Sequence, residues 1–163
     1  MKSPLRATLV LVTLAVCLAP SATAQEAARL ARDQAVVSVI VELFDGMRAG
    51  DSAMVRRTFA PDARLVSTSI RDGQPVLESV EIDRFVEAVG TPHEEVWDER
   101  LWNVEVRVDA NLATVWTEYA FYLGEELSHC GVDAFQLFKD SDGWKIFQIA
   151  DTRRGADTCD IDG

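Results

Sequence analysis

Cations are in short supply in this chain: its 163 residues carry 16 Lys and Arg against 27 Asp and Glu, a formal net charge of −11 at pH 7. An acidic surface repels phosphate backbones and anionic headgroups, which argues against nucleic acid or a membrane surface as partner. Metal-ligating residues are scarce too, with 2 His and 3 Cys. None of them stands in a CxxC or Cys/His cluster of zinc-site spacing, so no metal is expected. The sequence has no GxSxG, no HExxH and no Gly-rich phosphate loop. Nucleophile-elbow hydrolysis, zinc-peptidase chemistry and nucleotide chemistry therefore have no support, and no cofactor is expected. The apolar run Ala7–Ala19 falls short of the ~20 residues that a membrane-spanning helix needs.

That run is what is present at the start. MKSPLR supplies a charged segment, Ala7–Ala19 an apolar one, and Ala22-Thr23-Ala24 a small-residue cleavage site, the three parts of a secretory signal. Residues 1–24 are expected to be removed, placing the mature protein outside the cell or in a bacterial periplasm, with no membrane attachment after cleavage. Cys17 follows Val16 rather than the small residue that a lipidation site has. Loss of Lys2 and Arg6 makes the mature chain more acidic still. Cys130 and Cys159 then remain as an even pair in an oxidising compartment. Joining them closes a loop worth on the order of 3–4 kcal/mol and ties the tail, residues 155–163, to the rest. The alternative is a buried, thiol-bearing Cys130 and a free Cys159.

Periodicity organises the rest. Leu30, Val36, Val37, Ile40, Leu43, Phe44 and Met47 recur at helical spacing over Glu26–Ala49, with Gly50 as C-cap. Asp51 caps a short second helix to Phe59, which Pro61 stops. Arg64–Ile70 and Val76–Ser79 flank a turn and read as a hairpin. Ser79 is the N-cap candidate for a third helix, with Ile82, Phe85, Val86 and Val89 on one stripe and Gly90 and Pro92 ending it. Val96–Val108 alternates as a strand with Trp102, Val104, Val106 and Val108 on one side. Residues 111–154 follow as three more strands of a meander, turning at residues 124–126 and 140–143. The expected class is α+β: three N-terminal helices packed on a strongly curved antiparallel sheet.

The helix ending GMRAGD (Gly46–Asp51), FAPDARLV (Phe59–Val66), HCGVDAFQLF (His129–Phe138) and the closing GWKIFQIADTRR (Gly143–Arg154) carry a resemblance. With the element order, the chain resembles the NTF2-like, or SnoaL-like, superfamily, and within it the secreted bacterial group labelled "putative lumazine-binding". The resemblance covers residues 25–154. It implies a cone-shaped pocket between sheet and helices, often a homodimer, and a flat aromatic ligand.

Within the strand Leu127–Lys139, a side-chain period of two puts His129, Gly131, Asp133, Phe135 and Leu137 on one face. His129 and Asp133 are the candidate acid/base pair, and the glycine between them reads as a close approach or as room for a ligand. A carboxylate among apolar neighbours has a raised pKa, as a general acid or base needs, unless it pairs with Arg107, Arg153 or Arg154. Asp151, Tyr119 and Trp102 complete the candidate ligand-binding set. Strand register decides which of these meet. If Lys139 pairs with Trp144, Asp133 and Asp151 fall on opposite faces, and a one-residue bulge brings them together. Three function classes stay open: a module binding a small aromatic or apolar molecule, an acid/base enzyme using His129 or Asp133, and a ligand-free domain that dimerises through its outer sheet face.

Overall fold

The computed structural model describes residues 21–161. The expected leader lies outside this range except for residues 21–24, as does Cys17. Helix α1 (Ala22–Ala49) begins ahead of Glu26 because Ser21 caps it, its hydroxyl accepting from the Ala24 N–H. It ends as its sequence indicates: Gly50 takes φ 65°, donating to Met47 O, while the Asp51 N–H returns to Gly46 O. Asp51 then caps α2 (Ser52–Thr58), accepting from the Met54 N–H at 2.8 Å.

The hairpin is longer than the apolar residues suggest, with β1 at Phe59–Arg71 and β2 at Gln74–Glu81. Pairing persists as far as Arg64 with Glu81, so Ser79 is a strand residue and not a cap. Helix α3 (Ile82–Gly90) starts after Glu81 with no side-chain cap bond. Four long strands follow: β3 (Trp97–Asp109), β4 (Leu112–Leu123), β5 (Glu126–Asp140) and β6 (Gly143–Thr152). A two-residue β7 (Arg154–Gly155) pairs with β5, and a 3₁₀ turn, Ala156–Thr158, leads to Cys159.

Strands are ordered β2-β1-β6-β5-β4-β3 in one curved sheet. One pairing departs from the antiparallel expectation: β1 runs parallel to β6, joining the hairpin to the meander in a mixed sheet. The three helices cover the concave face. Val36, Ile40, Leu43, Phe44 and Met47 of α1 pack with Val115, Phe135, Leu137 and Ile146 of the sheet. A disulfide joins Cys130 to Cys159 from the opposite face of β5, so the tail is held beside the strand that carries His129 and Asp133.

Candidate functional site

Core side chains do not fill the whole space between the helices and the sheet. A cavity of about 150 Å³ remains. Leu43, Phe44 and Met47 of α1, Phe85 of α3, Val80 of β2, and Leu65 and Ile149 of the sheet make its apolar walls. Its polar side is set with Glu99, Tyr119, His129, Asp133, Asp151, Arg153 and Ser67. A wider surface hollow of about 380 Å³ on the outer sheet face has only Glu105 and Arg107 as charged lining residues, beside the exposed Trp116.

Two bulges assemble the polar side. Lys139 does pair with Trp144, and Phe147 is then skipped, shifting the β5–β6 register so that Asp133 faces Asp151. The preceding turn closes on two residues, Leu123 pairing with Glu126. Ser128 bulges out, so that Thr117 faces Asp133 and Tyr119 faces Gly131. The parallel β1–β6 ladder adds Ser67 opposite Asp151. One row across the sheet thus reads Thr117, Asp133, Asp151, Ser67. Gly131 is required by the chain itself. A Cβ there would lie 1.8 Å from the Thr152 carbonyl oxygen and 2.8 Å from Tyr119 Cε1, so its space holds β6 and not a ligand.

The two facing aspartates live in different surroundings. Asp151 accepts from Ser67 Oγ, from Tyr119 OH at 3.2 Å, and from Arg153 Nε and Nη2 at 3.3 Å each. Asp133 is 3% exposed, and its Oδ2 has no ordinary donor beside it. Its side-chain partner is another acid, Glu99, reaching across from β3. Two carboxylates hydrogen-bond only if one carries a proton. Burial and the Asp133 charge hold the Glu99 carboxyl well above its usual range, as a donor. Burial, partly opposed by the Glu99 hydrogen bond, pushes Asp133 up to about 7. The pair therefore titrates as a unit and shares a proton around neutrality.

His129 borders the cavity, edge-on to Tyr119 at 5.8 Å and tilted against Phe121 at 5.0 Å, with Nδ1 3.0 Å from Ser128 Oγ. Burial and then the Arg153 charge lower its pKa to about 4, leaving a neutral imidazole. Burial chiefly, with Asp151 next, raises the Tyr119 hydroxyl, which stays protonated and donates to Asp151 and to Thr152 O.

Of the residues singled out from sequence, Tyr119, His129, Asp133 and Asp151 converge on this cavity. Trp102 does not: it lies on the outer face, its Nε1 donating to Glu118 at 3.0 Å. The cause is a bulge after Trp102, where Asn103 takes φ 51° and the alternation changes phase. Trp97, Glu99 and Leu101 share the inward parity before the bulge, and Val106 and Val108 share it after. Glu99 is the residue that sequence reasoning missed. Its signal was a carboxylate in step with Trp97 and Leu101, masked by the charged neighbours Asp98 and Arg100. Arg153 serves Asp151 and not Asp133. Among the described residues no group of His, Cys, Asp and Glu is placed to hold a metal ion.

A family described as "Putative lumazine-binding" matches residues 31–149. No curated protein matches the chain. Several solved structures share the fold. A "putative dehydratase" of the NTF2-like family from Streptomyces avermitilis is 17% identical, with 78% of this chain and 99% of that one covered at TM-score 0.61. An NTF2-like protein with a cystatin-like fold from Novosphingobium aromaticivorans is 12% identical, with 85% and 92% covered at TM-score 0.63. The β subunit of a "putative aromatic-ring-hydroxylating dioxygenase" from the same organism is 10% identical, with 78% and 91% covered at TM-score 0.62. At these identities the likeness is one of fold.

Proposed function

The chain belongs to the family described as "Putative lumazine-binding", and from that premise we propose that it is an exported domain that binds a small aromatic or apolar molecule in the cavity beneath α1 and α3. The observation that carries this reading is a cavity of about 150 Å³ whose walls are apolar and whose one polar side presents a buried carboxyl, Asp133, short of hydrogen-bond donors. A volume of that size accepts a single benzene-sized ring. A buried acceptor without a donor costs free energy that a ligand N–H or O–H would recover. A domain built only to pair with another copy would have filled this space with its own side chains.

Export rests on the leader and the disulfide. Cleavage after Ala24 would remove only the exposed first turn of α1, since residues 21–32 are all exposed and the first fully buried position is Val36. Among the described residues no helix is long and apolar enough to cross a membrane.

Native mass spectrometry of the protein exported to an oxidising compartment tests the reading. The expected result is a chain beginning at Gln25 with one disulfide, releasing one small uncharged ring compound per chain on denaturation. A protein that arrives empty, and that no member of a panel of small aromatic compounds stabilises against heat, would sink it. The same spectrum reports whether two copies associate, as the exposed Trp116 of the outer sheet face would allow.

One observation favours a second reading, an acid/base enzyme. Asp133 is held near neutrality, where a group can both take and return a proton. The "putative dehydratase" and dioxygenase subunit of the same fold are compatible with it. In that case Asp133→Asn abolishes turnover and leaves folding intact, with His129 neutral and available as an acceptor.

A further inference from the structure

Three features of the polar side limit what it can recognise. The first is that Asp151 is already saturated by Ser67, Tyr119 and Arg153. The Tyr119 hydroxyl is in turn committed to Asp151 and Thr152 O, so neither group is free to select a ligand. Secondly, Asp133 has about four lone-pair sites, of which the shared proton from Glu99 fills one. It is therefore an open acceptor. Finally, Glu99 is a carboxylic acid, and so a donor that stands next to that acceptor. The elements that roof the pair bring only apolar side chains to the cavity: Leu43, Phe44 and Met47 from α1, Phe85 from α3 and Val80 from β2. Around the pair the titratable neighbours are Tyr119, His129, Asp151 and Arg153.

We propose that the Glu99–Asp133 pair reads the donor–acceptor edge of an uncharged lactam or cyclic imide ring, Glu99 turning its one carboxyl proton from Asp133 to the ring carbonyl and the ring N–H taking that proton's place on Asp133. The proposal rests on the ligand-binding reading above and adds the chemical class of the ligand. The cavity volume matches one small ring, and the apolar walls match its hydrocarbon edge. Carboxylate and phosphate ligands are repelled by Asp133 and Asp151. An amidinium requires both members of the pair ionised, and the Arg153 guanidinium already lies beside Asp151 where a second cation would sit.

The pair must keep its proton for this edge to exist. Raising the pH removes the donor and puts two charges into one buried site. Lactam affinity therefore falls as the pair loses its last proton, and Glu99→Gln, whose side-chain amide donates at any pH, relieves that fall.

The test uses the exported disulfide-bonded protein, with four probes titrated by calorimetry: 2-pyridone, 1-methyl-2-pyridone, benzamidine and toluene. The first should bind at least about tenfold tighter than its N-methyl analogue, the worth of one hydrogen bond to a charged group. Above about pH 7 its affinity should drop by a similar factor as the pair loses its last proton, and Glu99→Gln should abolish most of that drop. Equal binding of 2-pyridone and its N-methyl analogue would overturn the edge recognition while leaving an apolar cavity intact. Tighter binding of benzamidine would also overturn it, showing an ionised pair. Failure of every probe, toluene included, would remove the cavity reading together with this one. The methylation comparison is made on the wild-type protein, so it decides even where the variant does not fold.

Discussion

Asp133 and Asp151 are Cα partners across one antiparallel pair, on the same face of the same sheet, and they are nonetheless opposite kinds of carboxyl. Asp151 sits where the β1–β6 ladder, Tyr119 and the strand end at Arg153 all deliver donors, so its oxygens are well hydrogen-bonded. Asp133, one strand further in, is 3% exposed and meets another acid. Strand position places a side chain, but the partners within reach decide how its oxygens are satisfied. A saturated carboxylate builds the site, and an unsaturated one is left to act in it.

The comparison breaks most completely at Gly131, which lets β6 pass close enough for the Tyr119 hydroxyl to reach both Asp151 and the Thr152 carbonyl. In Gly131→Ala the new methyl meets the Thr152 carbonyl at 1.8 Å, and backbone must move. We expect a loss of about 3 kcal/mol or more in urea unfolding. A cost below about 1 kcal/mol would show that this close approach anchors nothing.

Next in size is the contrast between the two aspartates themselves. Asp151→Ala leaves the buried Tyr119 hydroxyl with the Thr152 carbonyl alone and removes the acceptor that Ser67, Tyr119 and Arg153 share, for an expected loss of about 2 kcal/mol at neutral pH. Asp133→Asn gives Glu99 a neutral partner and should change stability by less than about 1 kcal/mol under the same conditions. The reverse order in chemical denaturation would mean that the roles have been assigned the wrong way round.

The smallest effect is the most specific. Asp133 rises from 3.8 to about 7, so its protonated form stabilises the native state fully below about pH 4, and that contribution is lost as pH climbs through about 7. His129 falls from 6.5 to about 4, so its contribution is present above about 6.5 and is lost as pH drops through about 4. The two oppose each other over the overlapping window. Removing one exposes the other: in thermal melts from about pH 4.5 to about pH 8, Asp133→Asn should lose the downward trend by about 5 °C relative to wild type. A parallel pair of curves would show that Asp133 titrates normally.

Much of this fold is legible in the chain. Gly50 ends α1 and Asp51 starts α2 because each acts through its own backbone neighbourhood, within four residues. The Cys130–Cys159 bond follows from there being one way to pair the two cysteines beyond the expected leader. The inward parity of His129, Asp133, Phe135 and Leu137 follows from a period of two in an unbroken stretch. Local signals failed where a strand was interrupted or extended by its partner. Ser79 looked like a cap because nothing local says that β2 pairs on to Glu81. Trp102 looked inward because the positive φ at Asn103 leaves no mark on the apolar pattern.

Composition, periodicity and caps by themselves determined that this is an acidic α+β chain with three helices over a curved sheet, and named four of the polar residues around its cavity. The tertiary structure alone decided which of them meet. The skipped Phe147, the extra Ser128 and the phase change after Trp102 are each one residue long, yet each moves every later side chain to the other face or another row. Such shifts are fixed by the packing of whole strands against the helices, so Glu99 and Asp133, 34 positions apart in the chain, become partners only once the sheet is folded.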